Sequence, residues 1–127
     1  MANPSKFTAK LADFEFILSE LNEIWPKSSE MLAVLVFGSR TKFPDPKPTS
    51  DYDIGVVYSG RKPQLKVADN WDLLLWSKKH WQAGFALQVE IARHGIILFD
   101  TDNIAQNQFT MIQEKILPFW GSYLKRF

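Results

Sequence analysis

Two aspartates one residue apart are the feature of this sequence best suited to chemistry. Asp51 and Asp53 open an apolar run, and because side chains alternate along a strand, both carboxylates would project to the same side. Close carboxylates resist joint ionisation, and a divalent cation such as Mg²⁺ removes that penalty. Upstream, Gly38 and Ser39 end another apolar run, and such a turn offers backbone N–H groups and a hydroxyl to phosphate oxygens. Together the four residues predict a site for a metal ion and a nucleotide.

A third carboxylate would complete such a site, because a pair of metal ions about 4 Å apart needs about three carboxylates. Residues 86–92 alternate between apolar and polar positions, which predicts a strand with one polar face. Glu90 lies on that polar face and is the only acid in the segment. We therefore predict that Glu90 joins Asp51 and Asp53 as a metal ligand and catalytic residue.

The elements that must position these residues follow from apolar spacing and from prolines. Residues 31–37 are apolar throughout, which predicts a central strand covered on both faces. Three prolines without apolar periodicity predict a loop over 40–50. The other predicted elements are helices over 6–25, 64–81 and 103–126 and strands over 53–58, 86–92 and 96–99.

These elements predict one α+β domain over residues 1–127, a small mixed β-sheet with helices packed mainly on one face. Its parts would be an N-terminal helix over 6–25, a catalytic core over 30–100 and a C-terminal helical segment over 103–126.

Composition excludes several classes of protein. The chain has no cysteine, which excludes disulfides and thiolate metal sites. Its formal net charge of +1 does not favour a surface for duplex nucleic acid. No run approaches the ~18 consecutive apolar residues of a membrane span, and charges interrupt the N-terminal apolar runs, unlike a signal peptide. These properties favour a cytoplasmic protein with no membrane partner.

The order of the motifs resembles the DNA polymerase beta-like nucleotidyltransferase superfamily. The matching residues are Gly38-Ser39, then 50–54 (Ser-Asp-Tyr-Asp-Ile), then a carboxylate on a later strand, all within residues 30–100. The short chain resembles the minimal nucleotidyltransferase branch of that superfamily. This resemblance implies a polymerase beta-like fold and an enzyme that uses Mg²⁺ at a two-metal site and a nucleoside triphosphate such as ATP.

The resemblance also implies roles for individual residues. Gly38 and Ser39 would hold the β- and γ-phosphates, and Asp51 and Asp53 would bind both metal ions. Glu90 would bind the catalytic metal ion and help to deprotonate the acceptor hydroxyl. Beside the turn, the cations of Arg40 and Lys42 are candidates for the triphosphate, with plain surface solvation as the alternative for each.

Three departures from the family pattern leave alternatives open. Thr41-Lys42-Phe43 follows Arg40 where a glycine is frequent, the loop over 41–49 is rich in proline, and Glu90 replaces the more usual aspartate. These departures motivate a catalytically weak or inactive protein of the same fold that binds a partner without transfer.

The main hypothesis is transfer of a nucleoside monophosphate, AMP from ATP, to a hydroxyl. Minimal members resemble the antitoxin half of toxin–antitoxin pairs whose partner is a HEPN-type ribonuclease, and the short chain has little room for its own acceptor domain. The acceptor would therefore come from such a partner or from a second copy of the chain. Adenylylation of a small molecule, as in aminoglycoside-modifying relatives, is the alternative.

Overall fold

A mixed four-stranded sheet with helices on both faces forms the fold of the computed structural model, which describes residues 14–38, 51–83, 91 and 95–116. The described elements are α1 (Glu15–Ile24), β1 (Ser29–Phe37), β2 (Tyr52–Gly60), β3 (Trp71–Ser77), α2 (Lys78–Ala83), β4 (Ile96–Asp100) and α3 (Ile104–Met111), which continues as a π-helical turn, Ile112–Ile116. The predicted α+β class with a small mixed sheet is thereby confirmed.

The strands lie in the order β3-β2-β1-β4, so β1 and β2 are central. Strand β1 runs antiparallel to both β2 and β4, whereas β2 and β3 run parallel. One face of the sheet packs against α1, and the other packs against α2, α3 and Ile91. The carboxyl end of β1 and the amino ends of β2 and β3 therefore meet at one end of the sheet.

The two strands predicted around the motifs are confirmed. Strand β1 contains the predicted 31–37, and its side chains from Leu32 to Phe37 are buried, as expected for cover on both faces. Strand β2 contains the predicted 53–58 and is buried from Ile54 to Tyr58. Both runs are short and mostly apolar, and each contains several β-branched or aromatic residues, which favour strands.

The predicted helix over 64–81 is wrong for most of its length. Residues 64–68 have no regular structure, 71–77 form β3, and helix begins only at Lys78. The leucine-rich stretch satisfies both periods: Trp71, Leu73 and Leu75 pack on the α1 face, and Leu74 and Trp76 pack on the other. Residues 71–77 form a strand rather than a helix because they pair with the edge of β2 that β1 does not occupy. This pairing is a tertiary effect, and the local spacing of apolar residues does not predict it.

The predicted strand over 86–92 is wrong at Ile91, the one residue of that segment that is described. Ile91 is helical, and its carbonyl accepts a hydrogen bond from the Gly95 N–H four residues later. Its side chain is fully buried beside Trp81 and Phe109. The predicted return strand over 96–99 is confirmed as β4, and its partner is β1.

Both terminal helices are confirmed in their described parts. Helix α1 ends at Ile24, just before the predicted boundary at Trp25, and the predicted residues 6–13 lie outside the described part. Helix α3 begins at Ile104, where the Asp100 carboxylate accepts hydrogen bonds from the N–H groups of Ala105 and Gln106. Residues 117–126 of the predicted C-terminal segment lie outside the described ranges. None of the helices within those ranges is long and apolar enough to cross a membrane.

Candidate active site

Two aspartates face each other where β2 and β3 begin. The parallel register pairs Asp53 with Asp72, and the antiparallel register on the other side pairs Asp53 with Phe37. By alternation both carboxylates lie on the face of the sheet that carries α2 and α3, since Val57 and Trp76 on the same strands pack there. We call Asp53 and Asp72 the carboxylate pair.

The pKa of the Asp53 carboxyl group is raised by burial and by its acidic neighbours. Partial burial of Asp53 raises the pKa of its carboxyl group, and the negative charge of Asp72, a hydrogen bond with the Asp72 side chain and the charge of Asp51 raise that pKa further. A hydrogen bond between two carboxyl groups requires a proton on one of them. The predicted electrostatic conflict therefore exists at Asp53, but Asp72 contributes more to it than Asp51 does.

Gly38 lies against the Asp53 carboxylate from the β1 side. It follows β1 directly and has a φ of +76°, a conformation that favours glycine. A Cβ atom at this position would overlap Oδ2 of Asp53 and lie 2.9 Å from its Cγ. Glycine is thus required twice, by the backbone conformation and by the space that the Asp53 carboxylate occupies. Of the predicted turn, Gly38 is the residue that the structure brings to the aspartates.

Asp51 stands next to the pair, one residue before β2, and its side chain is exposed. Its negative charge is the smallest of the causes that raise the pKa of the Asp53 carboxyl group, after burial and the two effects of Asp72. The remaining predicted site residues, Ser39, Arg40, Lys42 and Glu90, lie outside the described residues, and their roles stay predictions.

Asp72 is the functional candidate that the sequence reasoning missed. A signal for it was present, because residues 52–54 and 71–73 share the pattern aromatic, aspartate, aliphatic (Tyr-Asp-Ile and Trp-Asp-Leu). The register pairs these two triplets residue by residue. Repetition of the pattern could have predicted two neighbouring strands that begin alike, whereas the helical interpretation of 64–81 concealed it.

The donor chemistry of the carboxylate pair fits a divalent cation. Carboxylate oxygens are hard ligands of the kind that Mg²⁺ prefers, and a cation would relieve the repulsion that raises the pKa of Asp53. Asp53 and Asp72 would hold the ion, with Asp51 beside them. Across the described ranges, no three His, Asp or Glu side chains gather closely enough to hold a metal ion by themselves.

An apolar layer lies directly behind the carboxylate pair. The rings of Phe37, Trp76, Trp81 and Phe109 follow one another with centroid separations of 6.5, 5.3 and 6.4 Å. We call these four residues the aromatic row. Trp81 is anchored to α3, because its Nε1–H donates a 3.1 Å hydrogen bond to the carbonyl of Ile104. The row joins the sheet to the helices on the side from which the carboxylate pair projects.

No protein-family model matches the chain, and no curated protein matches it. Among solved structures, the chain is similar to one described as a toxin–antitoxin with AMP-PNP, at a TM-score of 0.47 and 16% identity over 88% of this chain and 95% of that one. It is also similar to one described as the toxin–antitoxin MntA-HepT, at a TM-score of 0.43 and 15% identity over 92% of this chain and 97% of that one. Identities and TM-scores this low describe a distant likeness of the chain trace and assign no activity.

Proposed function

We propose that the protein is a Mg²⁺-dependent nucleotidyltransferase that transfers AMP from ATP to a hydroxyl group. The observation that carries the proposal is the carboxylate pair beside Gly38, at the point where three strand ends meet. Phosphate positioning by a glycine turn and cation binding by adjacent carboxylates are the two functions that nucleotidyl transfer requires at one place.

The reaction divides into roles for residues of this chain. The turn that begins at Gly38 would bind the terminal phosphates, and Asp53 and Asp72 would lie beside the α-phosphate. The acceptor oxygen would form a bond to the α-phosphorus, the bond from that phosphorus to the bridging oxygen would break, and pyrophosphate would leave. Asp72 or Glu90 would take the proton of the acceptor hydroxyl. Bound Mg²⁺ would neutralise charge on the phosphate oxygens and align the attacking and leaving oxygens.

A partner protein is the proposed acceptor. The motif order resembles that of minimal nucleotidyltransferases, whose members resemble the antitoxin half of toxin–antitoxin pairs with a HEPN-type partner. The proposed acceptor is therefore a hydroxyl side chain of a HEPN-type toxin that binds this chain as its antitoxin.

The test is transfer of label from ATP carrying a labelled α-phosphate. The purified protein is incubated with Mg²⁺ and, in separate arms, with the product of the neighbouring gene, with a panel of aminoglycosides, and alone. We expect label on the neighbouring protein, dependence on Mg²⁺, and loss of transfer in Asp53→Asn. A matched control is Asp69→Asn, an exposed acid in the turn before β3, which should retain transfer.

Each outcome separates the hypotheses. Label on a small molecule alone would replace the protein acceptor with aminoglycoside-type chemistry. Label on the chain itself would point to a second copy as acceptor. Nucleotide binding without transfer in any arm, by protein whose folding is confirmed by circular dichroism, would contradict the proposal and favour a binding protein.

A further inference from the structure

Gly55 and Trp76 form an unusual contact on the face that carries the carboxylate pair. Gly55 is buried in the middle of β2, where the extended backbone suits any residue. A Cβ atom there would overlap the Trp76 indole, reaching 2.7 Å from Cη2 and less from Cζ3, and would lie 3.4 Å from Phe37. Space above the backbone, rather than backbone conformation, therefore requires glycine at this position.

The indole of Trp76 covers a residue other than the one with which Trp76 is paired. Trp76 is paired with Val57, and Leu74 is paired with Gly55, so the ring reaches back by two residues along β2 to cover Gly55. Gly55 is in turn two residues from Asp53 on the same face. The contact thus lies immediately behind the carboxylate pair.

The contact between Gly55 and Trp76 can specify the register in which β2 and β3 pair. Residues 61–70 connect the two strands without helix or strand and pack on the α1 face through Leu65 and Val67, so on the opposite face the alignment depends on side-chain contacts between β2 and β3. A slip of two residues would preserve the alternation of faces but move Asp72 about 6–7 Å along β2 and away from Asp53. It would also bring the Trp76 ring over Asp53 or Val57, both of which carry a Cβ atom.

We propose that the contact between Gly55 and Trp76 sets the register of β2 against β3 and thereby holds Asp72 opposite Asp53. Gly55 and Trp76 are positioning residues, because they act on the carboxylates through strand alignment and touch no reacting atom. The consequence for transfer depends on the proposed function, whereas the alignment itself does not.

The absence of cysteine from the chain allows a direct test of register. Neighbouring strands lie about 4.8 Å apart, within the Cα separations that a disulfide accepts. The double variant Asp53→Cys and Asp72→Cys should therefore form a disulfide under mild oxidation, whereas Asp53→Cys with Leu74→Cys, offset by two residues, should form one severalfold more slowly. Neither metal nor nucleotide takes part.

The register is then challenged by a size exchange. Adding Gly55→Ala should slow closure of the 53–72 disulfide severalfold, and adding Trp76→Leu as well should restore the rate, because the smaller side chain clears the new Cβ atom. In the protein with native aspartates, the same exchange should lower and then restore the kcat for transfer.

A control separates register from simple loss of stability. Leu74→Ala removes core volume beside Gly55 but leaves the contact in place, so it should lower the melting temperature without slowing closure of the 53–72 disulfide. Unchanged closure in Gly55→Ala, or closure equally slowed by Leu74→Ala, would overturn the proposal. If the wild-type chain transfers no nucleotide, the proposed function fails, and the disulfide rates still decide the register proposal.

Discussion

The two strand pairs that share β2 contribute differently to the candidate site. On the antiparallel side, β1 ends in Gly38, whose backbone lies against the Asp53 carboxylate. On the parallel side, β3 begins with Asp72, whose side chain meets the same carboxylate. The antiparallel side supplies backbone, and the parallel side supplies negative charge.

This difference follows from strand direction. An antiparallel neighbour ends where β2 begins, so β1 brings the backbone of Gly38 to the start of β2. A parallel neighbour begins where β2 begins, so equivalent positions lie side by side and like side chains can form a row. In the proposed function, the antiparallel pair would therefore serve the phosphate and the parallel pair the cation.

The largest expected effect tests the parallel side. Asp53→Asn should lower the rate of nucleotidyl transfer by about 10³-fold or more, on the scale of losing a catalytic group. Asp72→Asn should lower it less, by about 10²-fold, because Asp72 is exposed on the outer strand and water can take over part of its role. Steady-state assays at saturating Mg²⁺ measure both.

Two results would contradict this division of roles. If Asp72→Asn were as active as the wild type, Asp72 would have no role in transfer. Glu90 would then be the better candidate for the third carboxylate. A loss of equal size in Asp69→Asn would show that general negative charge near β3, rather than the register of Asp72, is what matters.

An intermediate effect tests the antiparallel side. Gly38→Ala should lower the free energy of unfolding by about 1–2 kcal/mol, because alanine is strained at positive φ, and should also lower the rate of transfer, though less than Asp53→Asn does, because its methyl group displaces the Asp53 carboxylate. The matched control is Gly60→Ala at the other end of β2, where φ is +90° and the new Cβ would meet the Ser28 carbonyl oxygen at 2.8 Å. Urea unfolding and the transfer assay together measure the contrast.

Gly60→Ala should lose stability and keep most of its transfer activity. If both alanine variants lose activity in proportion to their stability, Gly38 serves the fold and has no special relation to the carboxylates.

The smallest expected effect concerns pH. A raised pKa means that folded Asp53 holds its proton more tightly than the unfolded chain does, so stability falls as pH rises from the ordinary value of 3.8 through the raised pKa. Asp53→Asn removes this penalty and should be slightly more stable than the wild type at pH 7. The advantage should disappear below about pH 3.8. Denaturant unfolding across pH measures it.

A variant without a titrating group provides the reference for that series. Ile54→Val deletes a buried methylene next to Asp53 and should cost about 1 kcal/mol at every pH. A constant difference between Asp53→Asn and the wild type across pH would contradict the electrostatic account of the carboxylate pair.

Strands β1 and β2 and the residues at their ends could be predicted from sequence, whereas β3 and the place of Asp72 could not. Strands β1 and β2 are short apolar runs that contain β-branched and aromatic residues. The residue types and spacing at their ends predict a site for a metal ion and a nucleotide. The sequence accordingly assigns Asp53 and Gly38 to one predicted site. Their contact joins the end of β1 to the start of β2, which follow each other in sequence and pair in the sheet.

Asp72 could not be placed beside Asp53 from the sequence, because the spacing of residues 64–81 predicts a helix where the structure has β3. A run rich in leucine and tryptophan fits helix and strand alike, and the deciding term is pairing with β2 at a distance in sequence. Once 71–77 is taken as a strand, Asp72 falls opposite Asp53 without further assumption. Glu90 remains a prediction, but the strand on which it was expected is helical at the neighbouring Ile91.

The aromatic row gives the protein an optical property of its own. The indoles of Trp76 and Trp81 lie with centroids 5.3 Å apart and planes inclined by 42°, close enough for their excited states to couple. Coupled chromophores at a fixed inclination absorb left and right circularly polarised light unequally. The difference, which is the circular dichroism, appears as a pair of bands of opposite sign. The integrity of the chain beside the carboxylate pair can therefore be followed spectroscopically, without label, substrate or assay.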